Sequence, residues 1–221
     1  MAATAHQGTA AQKFASRNTE RPFADAVFAR HVPGPGRMLA SAPATSRMAM
    51  ENSPNARAHY YMLHGSDADA TAFWGEDGGG PIEAVNIAGV PDMTGATVFA
   101  GCCWGALIVE EIASRAADHN AVTPRAPENS LALRFLERGA AAFVGCTGAH
   151  YSPLEEPLNF FGEPMHRHFW QRLGSGSPPA RALFEAKQLY MREMPHGRKS
   201  ALEWAIEYKT LRQFTCLGLG W

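Results

Sequence analysis

The sequence lacks any apolar run near the ~18 residues that a membrane-crossing helix requires. Met1 to Glu20 likewise lack the apolar stretch of roughly 7 to 15 residues that marks a secretory signal. A chain that neither spans a membrane nor carries a leader is the expectation, with a cytoplasmic location, or a secreted one if a leader has been trimmed away. An excess of charge of one sign is also missing: 20 Lys+Arg stand against 21 Asp+Glu, and the 16 arginines and 4 lysines are scattered. No electrostatic footprint for a polyanion results, which argues against a nucleic-acid partner. Cysteine is scarce, and two of the four (Cys102, Cys103, Cys146, Cys216) are adjacent, so they cannot bridge to each other without strain. A chain of 221 residues needs no disulfide staples, and reduced thiols are expected. Metal spacings are absent too. His166-x-His168 has neither a Cys-x-x-Cys nor a His-Glu-x-x-His beside it, and Gly174-Ser175-Gly176-Ser177-Pro178 lacks the Gly-Lys-Ser/Thr ending of a phosphate loop. Neither metal nor cofactor is expected.

What is present is apolar material. Charged residues make up 19%, below the roughly 25% of an average domain, and apolar ones 46%, enough for one sizeable core. Residues 1–56 are weakly patterned, with Pro33-Gly34-Pro35-Gly36 as punctuation and one short run, Ala26 to Ala29, and read as a peripheral segment. From residue 57 the pattern sharpens. Tyr60-Tyr61-Met62-Leu63 is a buried strand, taken over 58–63, that empties into His64-Gly65. The acidic, glycine-rich stretch 67–80 reads as a surface loop. Ala96 to Ala100 form a second strand running into Gly101-Cys102-Cys103-Trp104-Gly105, after which Leu107, Ile108, Val109, Ile112, Ala113 and Ala116 recur at helical spacing. A helix from Asn129-Ser130 to Gly139, a strand over 141–146, and helices near 163–173, 179–193 and 201–214 follow, the last opened by a Ser200/Glu203 capping pair. Trp204, Tyr208, Leu211 and Phe214 read as a buried helical stripe, Cys146 as strand packing and Cys216 as packing at a helix end. Strands alternating with helices imply a mostly parallel α/β sheet.

In such a sheet the carboxyl ends of all strands share one edge, where open α/β folds place their sites. His64 and the Cys102-Cys103 pair therefore come to a common rim. A helix opening after the cysteine turn, together with a nearby imidazole, would favour thiolate over thiol. Gly65, without a side chain, is suited to bring an N–H to a substrate carbonyl.

These residues resemble a family. An apolar strand ending in His-Gly (Tyr60 to Ser66), then one ending in small-Cys-aromatic-Gly (Val98 to Ala106), then Gly139 to Gly148, is similar to the caspase-fold cysteine peptidases, their gingipain-like branch above all. Ala182 to Lys187 and Lys209 to Gly218 resemble that branch's C-terminal helices, so the likeness covers roughly 58–218. It implies a three-layer sandwich with a mostly parallel sheet between helices, with 57–221 as the catalytic domain. It also implies an endopeptidase acting on protein or peptide substrates through a His64/Cys dyad, possible further domains in a longer parent chain, Gly65 and Cys103 as oxyanion donors, and a substrate pocket at Gly101, Trp104 and Thr147. Aligning small-Cys-aromatic-Gly-Ala makes Cys103 the nucleophile; a Cys-x-x-Gly alignment would choose Cys102. Room between Gly101 and Gly105 favours Cys103. Two departures stand out. Gly101 occupies the place where family members carry an acidic or amide residue that reads P1, and residues 1–56 offer little for the strand-helix-strand unit expected before the His strand. Asp67, Asp69, Glu76 and Asp77 could instead favour a basic P1.

Two rival readings remain. Gly-x-Cys-x-Gly with His64-Gly65 imitates an α/β-hydrolase of the dienelactone-hydrolase type. Only 38 residues separate His64 from Cys103, too few for that fold's intervening helix, strand and helix, and its catalytic histidine would have to be His150, His166, His168 or His196. The other rival is an inactive caspase-fold binding module.

Overall fold

The buried runs Tyr60 to Leu63 and Val98 to Ala100 lie at the centre of the molecule, each residue essentially inaccessible to solvent. The computed structural model describes residues 12–19, 21–40, 56–76, 80–112, 122–194 and 200–218. Its strands are β1 (Gln12–Arg17), β2 (Gly36–Ala40), β3 (Ala56–Met62), β4 (Ala72–Glu76), β5 (Pro81–Asn86), β6 (Thr97–Ala100), β7 (Ala142–Cys146) and β8 (Phe214–Gly218). The helices are α1 (Phe23–Arg30), α2 (Leu131–Glu137), α3 (Glu163–Gly174), α4 (Pro179–Glu193) and α5 (Ala201–Gln213). Six strands form one sheet in the order β2-β1-β3-β6-β7-β8, parallel except for β8, which runs against β7 with Phe214 opposite Cys146. The protein is thus α/β with a mostly parallel central sheet.

Alternate strand residues face opposite sides, as the twofold period of a strand demands. Tyr61, Val98, Ala100 and Phe143 join Phe135 of α2 and Phe73 and Val85 of the β4-β5 hairpin in one cluster. Tyr60, Phe99 and Val144 join Phe23 and Val27 of α1, Phe169 and Trp170 of α3, and Ala186 and Tyr190 of α4 in the other. Gly139 ends the α2 region with φ of 97°, the left-handed conformation glycine accepts without strain, and the Ser200/Glu203 capping box opens α5.

Several expectations are corrected. Residues 12–40 are not peripheral: β1 lies inside the sheet between β2 and β3, and α1 packs into the core. The polar letters of β1 conceal this, because Lys13 is buried with its Nζ donating to the carbonyls of Phe28 at 2.6 Å and Val32 at 2.9 Å. A β1-α1-β2 unit therefore precedes the His64 strand after all.

The stretch 67–80 is not only loop, since β4 pairs antiparallel with β5 and buries Phe73. Gly105 to Ile112 form turns, not a helix. Distant carbonyls take the N–H groups of Trp104 (Gly148 O), Ala106 (Cys146 O) and Glu110 (Thr123 O), while those of Gly105 and Leu107 close onto Cys102 O and Trp104 O three residues back. Each such bond replaces the i−4 partner a helix needs. Ala113 and Ala116 lie outside the described residues. Cys216 sits on β8, and the buried face of α5 is Glu207, Thr210 and Gln213, whereas Tyr208 is exposed and Trp204 half-buried.

His59 on β3 is buried, and desolvation pulls its pKa down from 6.5 to about 4 despite the hydrogen bond to Ala56 O. The unfolded chain takes up a proton at this residue near pH 6.5 while the folded one does not. Its contribution to stability is therefore whole above that pH and declines as pH falls toward about 4. Thermal melts across this window should show Tm falling with acidification, and His59→Gln, neutral at every pH, should flatten the slope.

Candidate functional site

β3 and β6 are paired from Ala58↔Thr97 to Tyr61↔Ala100, so the chain leaves both strands at one level of the same edge. The ladder continues one step, with Gly101 N donating to Tyr61 O at 2.8 Å. There the two main chains touch. A Cβ built on Gly65 would stand 1.9 Å from the Cys103 carbonyl oxygen, so only glycine allows this approach. His64-Gly65 and Cys102-Cys103 are thereby brought together. The cysteine turn is tight: Trp104 has φ of 48°, an unusual left-handed value for a bulky residue, and Gly105 N closes on Cys102 O at 3.0 Å. Among the described residues, no backbone carbonyl takes the N–H of Gly65 or Cys103.

The two cysteines face different surroundings. Cys102 is fully buried, its Sγ 3.7 Å from Tyr61 O, and desolvation pushes its thiol up to about 12. Cys103 is half-buried, and its Sγ accepts the backbone N–H of His150 at 3.3 Å while lying 3.8 Å from that residue's carbonyl. A backbone donor from the loop after β7 thus stands where a helix N-terminus was expected.

His64 is half-buried and held on both sides. Its N–H and C=O pair with Trp74 across an isolated bridge, and its Nε2 lies 2.5 Å from Glu76 Oε1. A carboxylate on Nε2 keeps the proton there and leaves Nδ1 with the basic lone pair. The sequence places Glu76 in an acidic loop that could favour a basic P1; its pairing with His64 arises because the β4-β5 hairpin returns the chain beside that residue. Asp69 serves its own turn, accepting from Thr71 N at 2.8 Å and Thr71 Oγ1 at 2.6 Å, and Asp77 lies outside the described residues.

Thr147 is exposed at the end of β7, its N and Oγ1 both donating to Gln213 O, and Gly148 O accepts the Trp104 N–H. Thr147 and Trp104 therefore share the rim with Cys103. Gly101 is buried beneath it, and a Cβ there would lie 2.2 Å from Met62 Sδ and 2.4 Å from His166 Cε1. The space an acidic residue would fill at this position is taken by the His166 ring. His166 and His150 are fully buried with Nε2 atoms 2.9 Å apart, and burial drives both well below the usual histidine range. His168 points elsewhere, its Nε2 3.0 Å from Glu193 Oε1; His196 lies outside the described residues. Among the described residues no three metal-ligating side chains converge, and no helix is long and apolar enough to cross a membrane.

Brief treatment of the native protein with iodoacetamide at neutral pH should label Cys103 and leave Cys102 and Cys146 unmodified, since burial raises both of those thiols. Peptide mapping by mass spectrometry reads the outcome, and labelling of Cys102 before Cys103 would contradict the assignment of exposures. No protein-family model matches the chain, and no curated protein matches it in sequence.

Proposed function

We propose that the protein is a cysteine endopeptidase with a caspase-like three-layer arrangement, hydrolysing peptide bonds through His64 and Cys103. The observation that carries this reading is the main-chain contact between Gly65 and Cys103, which brings the loops that bear an imidazole and a half-exposed thiol together at the carboxyl edge of a parallel sheet. The pairing of His64 Nε2 with Glu76 adds the third group that orients a catalytic base.

In the proposed reaction His64 Nδ1 takes the Cys103 thiol proton, directly or when substrate arrives, and the sulfur forms a bond to the peptide carbonyl carbon. The carbonyl electron pair moves onto oxygen, where the N–H groups of Gly65 and Cys103 receive it. The imidazolium gives its proton to the departing amine as the C–N bond breaks, leaving a thioester. Water then loses a proton to His64 and attacks the thioester; the C–S bond breaks and the thiol is restored. Glu76 stabilises the imidazolium in both halves. Thr147 and Trp104 flank the substrate, and Gly101 contributes no charge to P1 recognition.

The hydrolase alternative is less well supported, because a nucleophile elbow delivers its cysteine from a strand directly into a helix, and here turns follow Cys103. Two of its candidate histidines, His150 and His166, hydrogen-bond each other in the core.

A fluorogenic peptide panel varied at P1 tests the proposal on wild type, Cys103→Ala, Cys102→Ala, His64→Ala and Glu76→Gln. Cys103→Ala should abolish turnover, His64→Ala should lower kcat by roughly 10²–10⁴, Glu76→Gln should lower it about tenfold, and Cys102→Ala should retain activity. Turnover that survives both Cys103→Ala and His64→Ala, or no turnover by the wild type on any peptide, overturns the reading, the second result favouring a binding module.

A further inference from the structure

The Cys103 sulfur lies against the backbone of a single residue, His150. The His150 N–H is 3.3 Å away and suits the thiolate, which accepts; the His150 carbonyl, 3.8 Å away, suits the thiol, which donates. Small displacements of residue 150 therefore change which protonation state of the sulfur is better solvated. What fixes residue 150 is its ring. His150 Nε2 lies 2.9 Å from His166 Nε2, and His166 Nδ1 lies 2.7 Å from the Tyr60 hydroxyl, so a line of hydrogen bonds runs from β3 through α3 to the loop beside Cys103. The rings pack edge-on, His150 on His166 at 5.0 Å and His166 on Tyr60 at 5.6 Å between centroids.

Two glycines make room for this line. A Cβ at Gly101 would lie 2.4 Å from His166 Cε1, and one at Gly162 would lie 2.5 Å from His150 Nε2. Hydrogen counting gives the line a direction. If Tyr60 O–H donates to His166 Nδ1, and His166 Nε2–H to His150 Nε2, the one polar atom left over is His150 Nδ1, which has no partner among the described residues. The reverse direction also leaves the Tyr60 hydroxyl hydrogen without an acceptor, so the first is favoured.

We propose that Tyr60, His166 and His150 are positioning residues that hold the His150 backbone N–H on the Cys103 sulfur and so set how readily that thiol ionises; the proposal rests on the reading of Cys103 as nucleophile. Charged and titratable groups from several elements lie at this end of the sheet. His64 with Glu76 lies at the end of β3 and β4, and Cys102 and Cys146 lie beneath. Arg21 is fixed by Ser152 Oγ at 2.6 Å, and Lys209 of α5 sits over the Tyr151 ring.

The test is the pH profile of Cys103 alkylation by iodoacetamide, resolved by peptide mapping, in wild type, Tyr60→Phe, His166→Gln and, as a packing control, Trp170→Phe. Tyr60→Phe and His166→Gln should move the profile to higher pH, and His166→Gln should slow labelling at pH 7 about tenfold, the factor that one pH unit represents. Trp170→Phe, in the same cluster and off the hydrogen-bonded line, should lower Tm without moving the profile. Tyr60→Phe removes one oxygen and no ring, and decides the case if His166→Gln does not fold. An unchanged profile in the folded variants, or an equal shift in Trp170→Phe, overturns the proposal. Alkylation needs no peptide turnover. Shifted profiles with a wild type that cleaves nothing would support the positioning role while refuting the peptidase; unshifted profiles with a cleaving wild type would do the reverse.

Discussion

The approach of the Gly65 main chain to the Cys103 carbonyl governs the whole upper rim of the molecule. Parallel pairing alone sets β3 and β6 one strand spacing apart, about 4.8 Å, and says nothing about the loops that leave them. With a side chain at residue 65 the two loops would part, since its first carbon would fall inside the radius of a backbone oxygen. With glycine they close, and each is then pinned by a second element: His64 by Trp74 and Glu76 of the hairpin, the cysteine turn by Gly148 and Cys146 at the end of β7. The rim is held by four segments distant in sequence, so its geometry depends on tertiary structure and not on the local preferences of any loop.

The same economy of volume operates below the rim. Gly101 ends β6 where a longer residue would project toward α1 and α3, and that volume holds Met62 and the His166 ring, against which Phe23 and Phe99 also pack. The glycine and the histidine are two halves of one packing solution. Any carboxylate at residue 101 would compete with a buried imidazole for the same space, beside a desolvated Cys102 that already disfavours negative charge.

Strands whose inner residues are uniformly apolar, such as Tyr60 to Leu63 and Phe143-Val144, are legible in the sequence, as are the helices from 163 onward, the last of them through its Ser200/Glu203 capping box. β1 is not, because Lys13 and Ser16 are polar letters in buried positions, and burial of a lysine becomes tolerable only when Phe28 of α1 and Val32 just after it supply carbonyls to its ammonium. The helix read after Gly105 failed for a related reason. The residues after Gly105 carry the right spacing, but the acceptors that claim the N–H groups of Ala106 and Glu110, Cys146 O and Thr123 O, lie far along the chain and leave no trace in a local pattern. At the site, His64, Gly65 and the cysteine pair could be named because strand ends share an edge. Glu76 and the His150 N–H could not, since one arrives through a hairpin and the other is a backbone group with no letter of its own.

The adjacent cysteines illustrate how burial resolves what spacing leaves open. Consecutive residues at the end of a strand point to opposite sides, so one of Cys102 and Cys103 had to face inward, and the alignment of small, aromatic and glycine neighbours could be drawn through either. Enclosure of Cys102 removes the water a thiolate would require, and the carbonyl of Tyr61 beside its sulfur offers an acceptor, which suits the neutral S–H. A negative charge on Cys103 would raise Cys102 further, as like charges at this separation must. The two thiols are therefore unequal: a negative charge on the outer sulfur would keep the inner one protonated, and of the pair only the outer one is partly open to solvent.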